Sequence, residues 1–176
     1  MIFTKTKFHE AFIIEPEPLE DERGFFARSF CEKEFEKHGL NPRIVQCSIS
    51  FNKKKGTLRG IHYQVFPHQE AKLVSCIRGA IYDIIIDLRP DSPTFKHWLA
   101  VELTADNHRM LYVPEGVAHG FQTLVDNTEV LYQMFEFYYP ECERGVRWND
   151  PAIGIQWPFE NCIVSPKDQQ YSDFAS

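Results

Sequence analysis

The feature that most constrains this chain is its punctuation. Short runs rich in β-branched and aromatic residues are cut apart by Gly, Pro, Asp and Ser throughout the sequence. Phe12–Glu15 reads as a strand closed by Pro16 and Pro18. Asp21–Phe30 begins with a turn at Gly24 and continues as a strand that sends Phe25 and Phe26 to opposite faces. Arg43–Phe51, Leu58–Gln64, Lys72–Arg78, Ala80–Arg89, Trp98–Leu103, Met110–Val113, Phe121–Leu124 and Val130–Tyr138 follow in the same style. Cys31–His38, introduced by Ser29 and stopped at Gly39, is the one convincing helix. About nine to eleven short strands at regular spacing specify an all-β sandwich, jelly roll or barrel.

No repeat, low-complexity stretch or linker divides the chain, so residues 1–176 read as a single domain. The formal net charge is −6, and no basic stripe offers a nucleic acid a footprint. Lys53-Lys54-Lys55 before Gly56 reads as a solvated turn. The most apolar segment, Ile81–Leu88, is interrupted by Asp83 and Asp87, so no membrane span is expected. The first residues lack the apolar run of a signal peptide. Five cysteines without a C-x-x-C argue for reduced thiols and a cytoplasmic protein. Cys47 and Cys76 sit in apolar strand patterns and read as small core residues.

The chemistry concentrates in residues 57–74, which carry Arg59, His62 and Lys72. Two cations and an imidazole on neighbouring strands suit an anionic or carbonyl substrate. Arg59 and His62 are three apart, and an ideal strand would point them to opposite faces. Gly60 between them permits a bulge that restores a common face. On Arg43–Phe51, Val45, Cys47, Ile49 and Phe51 form an apolar packing side, while Gln46, Ser48 and Ser50 form a polar side fit to line a cavity. On Val130–Tyr138, Tyr132, Met134, Glu136 and Tyr138 share one face. Taken singly, His62 and the two tyrosines also suit a core, and Lys72 suits a rim.

Pro114-Glu-Gly-Val-Ala-His119 matches the P-x-G-x-x-H turn of the cupin superfamily of small β-barrels. Metal-binding cupins add an H-x-H pair on an earlier strand. Here that strand reads Ile61-His62-Tyr63-Gln64, so the pair is missing. A metal would need an improvised set drawn from His62, His119, His68 and Glu70, and none is expected.

Further motifs stand in one order along the chain: Asp21-Glu-Arg-Gly-Phe-Phe, Leu58-Arg-Gly-Ile-His-Tyr-Gln, Lys72-Leu-Val, Pro114-Glu-Gly-Val-Ala-His-Gly-Phe, Leu131-Tyr-Gln, Trp148-Asn-Asp-Pro and Ser165-Pro-Lys-Asp168. Together they resemble the dTDP-4-dehydrorhamnose 3,5-epimerase family. The resemblance implies an all-β, metal-free cupin-type double-stranded β-helix, or jelly roll, with one or two short helices. It implies a homodimer to which the N-terminal strands, about residues 1–30, contribute. The implied substrate is a nucleotide-diphosphate-linked 4-keto-6-deoxyhexose, and no cofactor is implied.

Residue by residue, the family pattern makes His62 the base, Asp168 its carboxylate partner, Lys72 the lysine of the K-L-V strand and Tyr132 the acid. Arg59 corresponds to the diphosphate-binding arginine, with Arg23 as a second candidate. His119 matches an inward histidine and Asp83 its supporting partner. Phe26, Gln46 and Tyr138 fall where nucleoside contacts are expected. Two positions depart from the pattern: Arg28 stands where an acidic residue is usual, and Ser48 where an Asn is usual. An arginine offers only donors, which suits an acceptor-rich base edge such as cytosine's. A CDP-sugar or other mono-epimerase or ketoisomerase is therefore the alternative enzyme, and a non-catalytic nucleotide-sugar-binding cupin is the alternative outside catalysis.

Overall fold

The computed structural model of the protein describes residues 1–174. Two β-sheets pack face to face as a jelly roll. The first has six strands in the order β1 (Ile2–Lys5), β2 (Phe12–Glu15), β10 (Met110–Val113), β7 (Lys72–Arg78), β12 (Thr128–Met134) and β5 (Gln46–Asn52). The second runs β13 (Glu143–Gly145), β6 (Thr57–Gln64), β11 (Val117–Thr123), β8 (Ala80–Asp87) and β9 (Trp98–Thr104). These ladders are antiparallel, and β14 (Ile163–Val164) joins β6 in parallel. A separate hairpin, β3 (Leu19–Asp21) with β4 (Gly24–Phe26), stands exposed.

The core lies where the inner faces meet, with Val74, Ile81, Ile85, Leu103, Leu111, Phe121 and Val130 almost wholly buried. The near-continuous apolar run of β8 follows from its position. Ile81 and Ile85 face the partner sheet, while Ile84 and Ile86 are covered by Val146, Ile153 and Trp157. A strand buried on both sides needs no alternation. Helix α1 (Glu32–Lys37) drops the fully buried Phe35 onto Phe12, Leu73 and Tyr112 and stops before Gly39, whose φ is +74°.

Among the described residues there are fourteen strands, more than expected, because β1, β3, β13 and β14 are too short to show periodicity. The run Val130–Tyr138 ends as a strand at Met134. Beyond it, side chains take the backbone donors a ladder would use: Gln46 accepts from the Tyr138 N–H at 2.8 Å and Gln64 from the Tyr139 N–H at 2.6 Å. Strand β11 starts at Val117, so His119 lies within a strand and not in the turn. Cys76 is buried, but Cys47 is exposed. The apolar side of β5 faces outward, leaving Ile49 64% and Phe51 45% exposed. The polar side faces in because the cavity, not the core, lies beneath it.

Candidate active site

The site begins with a close approach of two strands. At Gly60, φ is +125°, and a Cβ there would lie 2.6 Å from the Gly120 Cα. A Cβ on Gly120 would in turn lie 2.7 Å from the Arg59 carbonyl oxygen. Glycine at both positions lets β6 and β11 close together. The pairing sets His62 opposite His119 and Arg59 opposite Phe121, three steps on β6 against two on β11. The extra residue is a bulge, and it brings Arg59 and His62 to the same cavity.

That cavity holds about 270 Å³. The first sheet supplies Gln46, Ser48, Lys72, Tyr132 and Met134; the second supplies Arg59, His62, Tyr63, Gln64, His119 and Glu143. Glu70 and Tyr138 complete the wall. His62 Nε2 lies 2.7 Å from Asp168 Oδ1. Asp168 belongs to the one-turn helix α2 (Pro166–Gln169), capped by Ser165, whose Oγ accepts the Asp168 N–H at 3.1 Å. The other carboxylate oxygen accepts the Gly60 N–H at 3.3 Å. Burial opposes ionisation of Asp168, but the bond and charge of His62, the Gly60 N–H and the Ser165 hydroxyl hold the carboxyl below its usual range. An ionised acceptor assigns the imidazole proton to Nε2 and leaves the lone pair on Nδ1.

Three further pairs surround this one. Lys72 Nζ donates to Glu70 Oε1 at 2.7 Å, and both side chains are almost wholly buried. His119 Nε2 lies 2.7 Å from Oδ1 of the fully buried Asp83, whose Oδ2 has no partner among the described residues. Burial pushes the Asp83 carboxyl up, against the pull of His119. Arg59 Nε donates to Asn52 Oδ1 at 2.7 Å, which aims the guanidinium from below. Tyr132 meets His119 edge to face at 5.8 Å. Burial, reinforced by the charge of Asp83, raises its phenol, so it stands as a protonated donor. At the rim, Tyr138 donates to Glu143 at 2.6 Å, and Lys167 pairs with the same carboxylate.

Eight of the expected residues therefore line one cavity: Gln46, Ser48, Arg59, His62, Lys72, His119, Tyr132 and Tyr138. Asp168 and Asp83 stand directly behind the two histidines. Three do not reach it within the chain. Arg23 sits on the exposed hairpin and pairs with its neighbour Asp21 at 2.5 Å. Phe26 on the same hairpin is 76% exposed. Arg28 pairs with Glu34 at 3.1 Å. The reason is topological, since β3 and β4 bond only to each other.

The sequence reading passed over Glu70 as a partner of Lys72, Asn52 as the support of Arg59, and Glu143. Glu70 had a signal: two residues before a strand lysine is the same face. Glu143 follows a loop and had none. Among the described residues, no three His, Cys, Asp or Glu side chains converge as a metal cage. Of the improvised set, His62, His119 and Glu70 line the cavity, with Glu70 bonded to Lys72, while His68 stacks on Tyr139 at 3.4 Å.

Comparison with known proteins points to one family. The family model described as dTDP-4-dehydrorhamnose 3,5-epimerase matches residues 5–176. The dTDP-4-dehydrorhamnose 3,5-epimerase of Shigella flexneri is 45% identical over 165 residues, covering 93% of this chain and 91% of the relative. The crystal structure of the Bacillus anthracis enzyme of that name, with TDP and PPi bound, superposes with a TM-score of 0.95 at 44% identity, covering 98% of this chain and 99% of that one. The Legionella pneumophila epimerase, in complex with dTDP-4-keto-L-rhamnose, gives 0.88 at 40% identity over 95% of this chain and 89% of its own.

Proposed function

The chain belongs to the dTDP-4-dehydrorhamnose 3,5-epimerase family, and from that premise we propose how its own residues invert the sugar. It is an isomerase of nucleotide-linked 4-keto-6-deoxyhexoses. The substrate we assign is the dTDP-linked sugar. His62 Nδ1 takes the proton from a carbon beside the C4 ketone, C3 or C5. The electron pair of that C–H bond becomes a double bond to C4, the carbonyl π pair moves to the C4 oxygen, and an enolate forms. The Lys72 ammonium stabilises the oxygen, with Glu70 accepting only one of its three N–H bonds. Tyr132 then returns a proton to the opposite face of the carbon. Arg59 holds the diphosphate.

The single observation that carries this reading is the placement of His62 and Tyr132 on opposite sheets around one cavity, with Lys72 buried in its wall. A base and an opposed acid serve inversion, whereas a binding protein needs neither. The test is isotope wash-in. Incubated with dTDP-4-keto-6-deoxyglucose in D₂O, the wild type should place deuterium at C3 and C5. His62→Ala should place none. Label at one carbon only would identify a mono-epimerase, and no label would overturn the reading.

We further propose a homodimer in which the β3–β4 hairpin of one copy reaches the cavity of the other. This would deliver Arg23, Phe26 and Arg28 to a nucleoside they cannot meet within their own chain. The exposed hairpin and the uncovered apolar face at Ile49, Phe51 and Ile77 support it. The cytoplasmic setting remains part of the proposal; all five cysteines are free thiols.

A further inference from the structure

Strand β13 lays Gly145 directly opposite His62. Side chains opposite each other in an antiparallel pair lie about 4.5–5.5 Å apart at Cβ. A side chain at 145 would therefore press on the imidazole. Its place is taken by the ring of Tyr171, which arrives from the segment after α2. A Cβ on Gly145 would lie 2.2–2.5 Å from three atoms of that ring. Gly145 is not in the left-handed region, so space alone demands glycine here. The Tyr171 ring stands edge-on to His62 at 5.9 Å, with 65° between the planes. Its hydroxyl is buried and has no partner among the described residues. The same short segment thus brings the imidazole its carboxylate, Asp168, and its wall.

We propose that Tyr171 is a positioning residue that fixes the plane of His62 and keeps water out of the His62–Asp168 pair. Water in that slot would offer Asp168 and Nε2 competing bonds and free the ring to tilt. A base misplaced by about 1 Å can cost on the order of 100-fold in rate. The ring performs this role. The hydroxyl does not, because it makes no bond to the imidazole and has no partner among the described residues.

The inference rests on His62 being the base, and the experiment separates the two. Steady-state kinetics and wash-in are measured for Tyr171→Ala, Tyr171→Phe, His62→Ala and the double variant Tyr171→Ala/Gly145→Leu. Tyr171→Ala should lower kcat by roughly 10- to 100-fold with KM changed by no more than about twofold, the pattern of a residue acting on the reaction and not on binding. Tyr171→Phe should retain kcat and melt no lower than wild type. The double variant fills the slot from the other side and should recover at least part of the lost kcat. Tyr171→Ala with wild-type kcat beside an inactive His62→Ala would overturn the inference alone. An active His62→Ala would overturn the reading beneath it. Equal losses in Tyr171→Ala and Tyr171→Phe would give the role to the hydroxyl and overturn the wall.

Discussion

At the scale of single residues, the site is a set of charges held by partners. Asp168→Asn removes the carboxylate that fixes the His62 tautomer while keeping its shape. Turnover should fall by about 10²–10⁴-fold, read as kcat with folded protein confirmed by circular dichroism. The pH sign follows from the direction of its shift. The folded Asp168 carboxyl is held below its usual range, so its stabilisation is complete above the ordinary Asp value and is lost as pH falls through the folded one. Wild type should therefore lose more melting temperature than Asp168→Asn between neutral pH and the acid side of that range. Lys72 and Glu70 form a buried pair, and removing one partner leaves the other uncompensated. Lys72→Met should cost about 3–5 kcal/mol, whereas Glu70→Gln with Lys72→Met should recover much of it. Urea unfolding of both variants checks this, and both should be inactive.

At the scale of elements, β6 governs the site, and the Gly60 bulge governs β6. Gly60 and Gly24 share nearly the same backbone angle, +125° and +126°, but only Gly60 faces another backbone; nothing lies within 4 Å of Gly24. Gly24→Ala should cost the strain alone, about 1–3 kcal/mol. Gly60→Ala should cost more and abolish turnover, because β11 must then move. Melting temperatures of the two variants measure the difference. The bulge was legible in advance because Arg59 and His62, three apart, had no other way to share a face. The strands with strong alternation or β-branched runs were legible for the same kind of reason. Strand β13 and its Glu143 were not, since three residues carry no period. The face of β5 was read correctly as a pattern and incorrectly as packing. Its polar side does line the cavity, but its apolar side is left largely uncovered by its own chain, and alternation alone does not say what covers an apolar face. Likewise, Arg23, Phe26 and Arg28 matched the family pattern, but the pattern does not show that they stand away from the cavity of their own chain.

At the scale of the molecule, that outward apolar face makes a prediction. A stable partner needs contiguous apolar area, and Ile49, Phe51 and Ile77 offer it on the outside of the first sheet. Wild type should sediment as a dimer. Ile49→Lys with Ile77→Lys should sediment at the 20.6 kDa of one chain and lose turnover while keeping its β-sheet signal. A variant that stays dimeric would move the interface elsewhere. The distance along the chain between His62 and Asp168 reaches further still. They are 106 residues apart, and contacts of such separation are slow to form because the intervening polymer must first be ordered. Diluted from denaturant, the protein should regain its far-ultraviolet signal before it regains turnover, and the recovery of activity will time the closing of the whole molecule.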